Sequence, residues 1–309
     1  MASKITSFLI VALKGIGMGA ANVVPGVSGG TIAFLTGIYE RLINSIKAFD
    51  LTAFKLLFTG KFKAFWAKID GTFLFALLIG IVISIFSLAK LMVYLLDKFP
   101  IPVWSFFFGL IVASIVFIFK DIKGLKWTDF IAMLFGIAFG AFICIVSPTE
   151  TTNALWFIFL CGAIAICTMI LPGISGSFIL LLLGKYYFIM EAVHTFDIVT
   201  LVIFALGAVI GLIAFSHFLS WLLKKCYNGT LLFLAGLMIG SLLKVWPWQR
   251  EALSGVSEVS RPVWPAAFAG DPQIAQAVIW FAVGALLVFV LEYLAGAMTK
   301  KSQSLPAQK

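Results

Sequence analysis

The fold of this chain turns on two stretches, Ala21–Thr31 (ANVVPGVSGGT) and Thr168–Phe178 (TMILPGISGSF). Each interrupts a longer apolar region, roughly 5–39 and 154–190. Proline removes a backbone donor and glycine admits non-helical turns, so neither region reads as one continuous helix. The two stretches are one motif used twice. Pro25, Gly26, Ser28 and Gly29 match Pro172, Gly173, Ser175 and Gly176 at a constant offset (172 − 25 = 147). The same offset of 147 pairs Leu13 with Leu160, Gly15 with Gly162, Ile32 with Ile179, Leu35 with Leu182, Gly37 with Gly184 and Tyr39 with Tyr186. Ten identities in register mark an internal repeat.

Outward from the motif, the sequence is that of a membrane protein. Of 309 residues, 62% are hydrophobic and only 11% charged, with a mean hydropathy of +1.12. That composition cannot cover a soluble globule. The apolar residues form blocks at about 72–95, 102–119, 128–147, 198–222, 230–243 and 275–298. A helix needs roughly 20 residues to cross about 30 Å of hydrocarbon, and all but the short block 230–243 come close to that. The net charge of +9 does not point to nucleic acid, because the basic residues lie in short loops between apolar blocks. Cys144, Cys161, Cys167 and Cys226 form no CxxC pair and read as packing residues, with no metal or disulfide framework. No cofactor is expected.

The repeat organises the whole chain as one membrane domain, 1–309, of two units. The first, 5–150, has the interrupted region 5–39, a segment 41–70 and spans over 72–147; the second, 154–298, has the interrupted region 154–190 and spans over 198–298. Each arm of an interrupted region holds about 9–17 residues, short of a full crossing, so each region is expected to be a re-entrant hairpin. A unit of one hairpin and three spans crosses the bilayer an odd number of times, and the two units then have opposite orientations. The expected fold is an all-α polytopic membrane protein of two inverted-topology repeats. Charge supports it. With the N-terminus in the cytoplasm, Arg41, Lys47, Lys55, Lys61, Lys63 and Lys68 fall inside, as do Lys120, Lys123, Lys126, Lys224, Lys225 and the tail with Lys300 and Lys301. The loop SPTETTN, with Glu150, and the mixed loop 244–273 fall outside. The segment 41–70 mixes Phe, Leu and Trp with lysines and reads as an amphipathic stretch on anionic membrane lipid, or else as a basic linker.

Non-helical backbone at membrane depth survives only where it is buried in protein or lines a polar cavity. Broken helices in repeated units are also where transporters bind substrate. The candidate substrate-binding groups are Asn22, Pro25, Gly26, Ser28, Gly29, Gly30 and Thr31 in the first break, with Pro172, Gly173, Ser175, Gly176 and Ser177 in the second. Small residues at a helix start expose N–H groups and hydroxyls, and the helix terminus adds partial positive charge, so opposed breaks suit an anion. The bland alternative is that these residues only let helices pack closely. Glu40 and Arg41 end the first hairpin where the second has Tyr187 and Phe188. Arg41 is a candidate partner for phosphate and Glu40 a candidate coupling group for protons or sodium; the alternative is an interfacial salt bridge. Lys90 and Glu292 read as snorkelling side chains, and His217 as a packed histidine more readily than a proton relay. Both motifs fit the G-x-S-G pattern of intramembrane proteases, but a serine nucleophile needs a base, and only His194 and His217 are on offer.

The stretch KGIGMGAANVVPGVSGGTIAFLTGIYERLI with LPGISGSFILLLLGKYY resembles the bacterial and archaeal polyprenyl-phosphate transporter family, long catalogued as domain of unknown function 368. The resemblance covers essentially the whole chain. It implies a non-enzymatic, multi-pass transporter of the bacterial cytoplasmic (inner) membrane with cytoplasmic termini. Its implied partner is undecaprenyl phosphate or a related polyprenyl phosphate, returned from the outer to the inner leaflet for cell-wall synthesis. Residue chemistry alone leaves open a carrier of a small soluble anion or a membrane-embedded lipid-processing enzyme.

Overall fold

The computed structural model describes residues 2–23, 28–122, 124–146, 151–250 and 261–303. Most of them are helical. The first half comprises α1 (Ala2–Val23), α2 (Gly29–Leu35), α3 (Tyr39–Lys47), α4 (Leu51–Phe58), α5 (Phe62–Lys68), α6 (Gly71–Lys98), α7 (Pro100–Asp121) and α8 (Trp127–Ile145). The second comprises α9 (Leu155–Ile170), α10 (Gly176–Leu182), α11 (Tyr186–His194), α12 (Ile198–Lys225), α13 (Tyr227–Val245) and α14 (Ile274–Gln303). Between α13 and α14 lies a two-stranded antiparallel pair, β1 (Gln249–Arg250) and β2 (Arg261–Pro262). Four helices among the described residues are long and apolar enough to cross a membrane, or up to six if each bent pair counts as one span. The protein is an all-α polytopic membrane protein.

The halves correspond element by element. The ranges of α2 and α10, and of α3 and α11, differ by 147 residues at both ends (176 − 29 and 186 − 39). Gly37 and Gly184, also 147 apart, take φ of +68° and +63°, the left-handed conformation that lets the chain turn sharply after each short helix. The most extensive helix pairings are α1 with α6, α9 with α12, α8 with α13 and α7 with α14. Replacing each first-half helix by its counterpart turns α1–α6 into α9–α12 and α8–α13 into α14–α7. The two arrangements agree down to single backbone atoms. A Cβ on Gly15 or Gly80 would strike the carbonyl of Leu77 or Ala12; one on Gly162 or Gly207 would strike Phe204 or Phe159. Those pairs are related by 147 and 127 (162 − 15, 159 − 12; 207 − 80, 204 − 77). Backbones this close suit a bilayer, where association depends on packing rather than on a hydrophobic drive.

α13 lies deepest, with Leu232, Leu234, Leu237 and Met238 fully buried. The flanking helices turn apolar residues outward, such as Phe86 on α6 at 82% exposure and Phe135 on α8 at 64%. Such faces belong in hydrocarbon. At the 245 end of α13, the Trp246 and Trp248 indoles donate to the Val263 and Pro272 carbonyls at 2.8 Å each. Amphipathic rings of this kind are typical of the membrane–water boundary.

Some boundaries differ from expectation. The first arm is not a short half-helix: α1 has 22 residues, about 33 Å at 1.5 Å per residue. The return arms α2 and α10, at 7 residues each, are much shorter. The region 154–190 reaches past its return arm: α10 and α11 are bent by 106° about Gly184. The segment 41–70 is not wholly peculiar to the first half. Its first helix, α3, is the counterpart of α11, and only α4 and α5 are inserted. These inserted helices expose Leu51, Phe58 and Phe62 beside the exposed lysines 55, 61 and 63.

Candidate functional site

The two breaks meet. In the first, Ser28 is extended and caps α2: its hydroxyl accepts from the Gly30 amide at 3.0 Å and donates to the Met169 carbonyl, also at 3.0 Å. The Gly29 amide donates to Asn22 Oδ1 at 2.7 Å, and the Thr31 amide to the Ser28 carbonyl at 2.9 Å. A helix start normally leaves its first amides unmet; here three in a row are satisfied by protein. Thr31 Oγ1 in turn accepts from the Gly173 amide of the second break at 3.0 Å. Gly30 lies against the Ile170 carbonyl so closely that any Cβ would collide with it. Ser28 and Thr31 are buried. Pro25 and Gly26 lie outside the described residues.

The second break is built differently. Pro172 and Gly173 are buried, Gly173 at φ +88°, and Ser175 precedes α10 without capping it. The Ser175 hydroxyl pairs with that of Ser177 at 2.8 Å. Among the described residues nothing accepts from the amides of Gly176 and Ser177. Beside them is a cavity of about 270 Å³, room for several waters or a phosphate group. Its polar wall is Asn22, Ser175, Gly176 and Ser177; Ala165, Ile166, Met169, Leu180, Phe204 and Ala208 make the rest apolar. Thus the structure brings four of the candidate residues, drawn from both hairpins, to one amphipathic cavity. Ser28, Gly29, Gly30 and Thr31 instead form the seam behind it.

Glu40 and Arg41 stand elsewhere. They begin α3, beyond the far end of α2, and neither lines the cavity. Both are exposed, and Arg41 forks onto Asp70 at 2.6 and 3.1 Å while lying 4.3 Å from the Phe73 ring centre. The carboxylate partner is therefore Asp70 and not the adjacent Glu40. His217 Nδ1 is 2.9 Å from the Ile213 carbonyl of its own helix, as a packed histidine would be. The side chains of Lys90 and Glu292, the loop residue Glu150 and Lys123 lie outside what is described.

Sequence reasoning missed the walls on α9 and α12. Gly162 was in the repeat match, but its role is visible only in three dimensions. A larger, wholly different groove of about 550 Å³ runs between α6, α7 and α14, lined by Met92, Phe99, Phe106 and Trp280 among others; no hairpin residue reaches it.

Comparison with known proteins gives the family. Residues 18–262 match the model of the VCA0040-like family, described as undecaprenyl phosphate translocase-like. The chain belongs to this family. It is 48% identical over 254 residues to a polyprenyl-phosphate transporter of Vibrio cholerae, covering 82% of each chain. It is 33% identical over 254 residues to a polyprenyl-phosphate transporter of Staphylococcus aureus, covering 76% of this chain and 85% of that one. No solved structure is significantly similar. The resemblance carried by the two PG-x-SG motifs is borne out, and the chain is a multi-pass membrane protein of a transporter family.

Proposed function

We propose that this protein carries undecaprenyl phosphate, or a closely related polyprenyl phosphate, from the outer to the inner leaflet of the bacterial cytoplasmic membrane. The observation that carries the reading is the cavity in which Asn22 of one hairpin joins Ser175, Gly176 and Ser177 of the other. An isolated phosphate would cost tens of kcal/mol to move bare into hydrocarbon. Unmet amides, hydroxyls and a carboxamide offset that cost, and an otherwise apolar wall suits a headgroup still attached to its chain. The names of the relatives give the same substrate class. The activity we propose is transport, the class that the names of the relatives give.

The element-by-element match of the halves supports two repeats of opposite orientation, an arrangement that places the site at mid-membrane and lets it open to either side. Positive loops support cytoplasmic termini. Coupling to protons or sodium belongs to the same reading, with exposed Glu40 its acidic candidate; transport by Glu40→Gln should then lose its pH dependence, and an unchanged profile removes that residue.

Binding decides the substrate. Purified protein in nanodiscs should bind undecaprenyl phosphate well and undecaprenyl alcohol poorly. Inorganic phosphate that competes as strongly as the lipid would instead mark a soluble-anion carrier. Impermeant labelling of a cysteine at position 271 with protection at 126 is expected on intact cells, and the reverse pattern would overturn the orientation.

A further inference from the structure

Five described lysines are at least partly buried: Lys14, Lys47, Lys68, Lys185 and Lys244. Four of them spend their ammonium groups on protein acceptors. Lys14 donates to the Thr36 carbonyl at 2.6 Å and Lys47 to Ser220 Oγ at 3.2 Å. Lys68 pairs with Asp50 at 2.9 Å, and Lys185 donates to the Thr151 carbonyl at 2.7 Å and to Asn153 Oδ1. Lys244 is different. Its Nζ lies 4.7 Å from the centre of the Phe178 ring; the Cys144 thiol of α8 is close enough to interact with its charge, and no carboxylate among the described residues pairs with it. A ring face attracts the charge but takes up little of the ammonium's three-donor capacity. A cation in a spanning helix is costly and is retained for function.

Lys244 does not itself line the cavity, but the ring it faces belongs to the residue next to the cavity's Ser177. Phe178 follows Ser177 in the first turn of α10. Gly173 presses α13 so closely that a Cβ there would lie 2.7 Å from Ser241 Oγ and 3.0 Å from Met238 Cα. Lys244 comes three residues after Ser241, a spacing that keeps both on one side of α13. The first half has no such cation: the counterparts of Lys244 and Phe178 are Phe117 (244 − 127) and Thr31 (178 − 147). The charge therefore accompanies only the hairpin whose polar groups are unspent.

We infer that Lys244 is the cation that binds the phosphate monoester headgroup at the second hairpin and distinguishes it from an uncharged lipid alcohol. Phe178 holds the ammonium in place until the anion arrives. The inference rests on the transport reading above and adds to it a residue and a basis for selectivity.

The test is binding of undecaprenyl phosphate, undecaprenyl alcohol and inorganic phosphate to the full-length parent, Lys244→Gln and Lys244→Arg in nanodiscs, with melting of each protein measured alongside. Lys244→Gln should weaken the lipid phosphate roughly ten- to hundredfold, the loss of one hydrogen bond to a charged partner, and leave the alcohol unchanged. Lys244→Arg should keep most of the preference. Amine-reactive labelling of Lys244 in the parent should be blocked by the lipid phosphate and not by the alcohol. Equal effects of Lys244→Gln on both lipids, or labelling that the phosphate fails to block, overturns the inference while leaving the transport reading intact. A parent that binds alcohol and phosphate alike overturns the transport reading, and this assignment with it.

Discussion

The two breaks carry nearly the same residues and do different work. At the first, the three leading amides of α2 are all taken by protein, and the Ser28 hydroxyl both accepts and donates. At the second, the hydroxyls of Ser175 and Ser177 pair with each other and both residues line a cavity. Duplication supplied two similar turns; contact between them met the amides of one and left those of the other without a described acceptor. The first turn is the wall against which the second is held. Where a sequence motif is doubled, equal chemistry at the two copies does not follow.

The largest expected effect strikes the seam between them. In Gly30→Val the new side chain meets the Ile170 carbonyl, which belongs to rigid backbone and cannot yield as a flexible side chain would. Overpacking of this kind reaches about 3 kcal/mol. A large drop in melting temperature, with expression reduced, is expected. A variant that melts like the parent would show that the hairpins are not in close contact, and the comparison would collapse.

The serines sharpen it. Ser177→Ala and Ser175→Ala should melt near the parent and lose lipid-phosphate affinity by about 1.5 kcal/mol each, roughly tenfold. Ser28→Ala should do the opposite. It removes a helix cap and the bond to Met169, a loss of about 1 kcal/mol in stability, while affinity stays near the parent's. Binding isotherms and melting curves on the same samples separate the two. If Ser28→Ala is the binding mutant, the open and sealed turns have been assigned the wrong way round.

Much of this was legible in the sequence. The six uninterrupted blocks became α6, α7, α8, α12, α13 and α14, because apolar runs of bilayer length leave the chain little choice but helix. The repeat was legible because its glycines and prolines do backbone work that few other residues can do. What stayed hidden depends on contacts between distant segments. Nothing local distinguishes SGG from SGS as the sealed turn; the difference arises where Gly30 meets Ile170 and Thr31 meets Gly173, 140 and 142 residues away (170 − 30 and 173 − 31). Arg41 was a natural phosphate partner by residue type, yet its carboxylate partner, Asp70, lies 29 residues on, across two inserted helices.

That ion pair is another difference between the halves, and a smaller one. Asp70 and Asp197 are counterparts preceding α6 and α12 (197 − 70 = 127), but Arg41 corresponds to Phe188 (188 − 41 = 147). Asp70 therefore has a guanidinium to bind, whereas Asp197 turns to its own helix. Arg41→Lys keeps the charge and loses the two-pronged geometry. At a site this exposed the cost in stability should be under about 1 kcal/mol, with phosphate affinity unchanged. A clear loss of affinity in Arg41→Lys, with no change in melting, would restore Arg41 to the binding site and break the division between anchoring α3 and binding α10.

The smallest effect belongs to Asp197, and pH reads it. Its carboxylate accepts from the Thr200 hydroxyl at 2.6 Å and the Thr200 amide at 3.2 Å. The hydroxyl bond first, and the amide bond after it, hold this exposed carboxyl below the ordinary carboxylate range. A group whose pKa is depressed on folding stabilises the protein above its unfolded value, about 4, and the contribution fades as pH falls through the lower folded value. Melting temperature should therefore decline as pH drops below about 4, and the decline should be shallower in Asp197→Asn. The asparagine side chain can still cap the helix, so stability near neutral pH should change little. Because the carboxyl is in water, the difference between the two pH profiles should be small, and reproducible only with closely matched buffers. Identical profiles would mean that Thr200 does not favour the charged form, leaving Asp197 as an ordinary surface carboxylate.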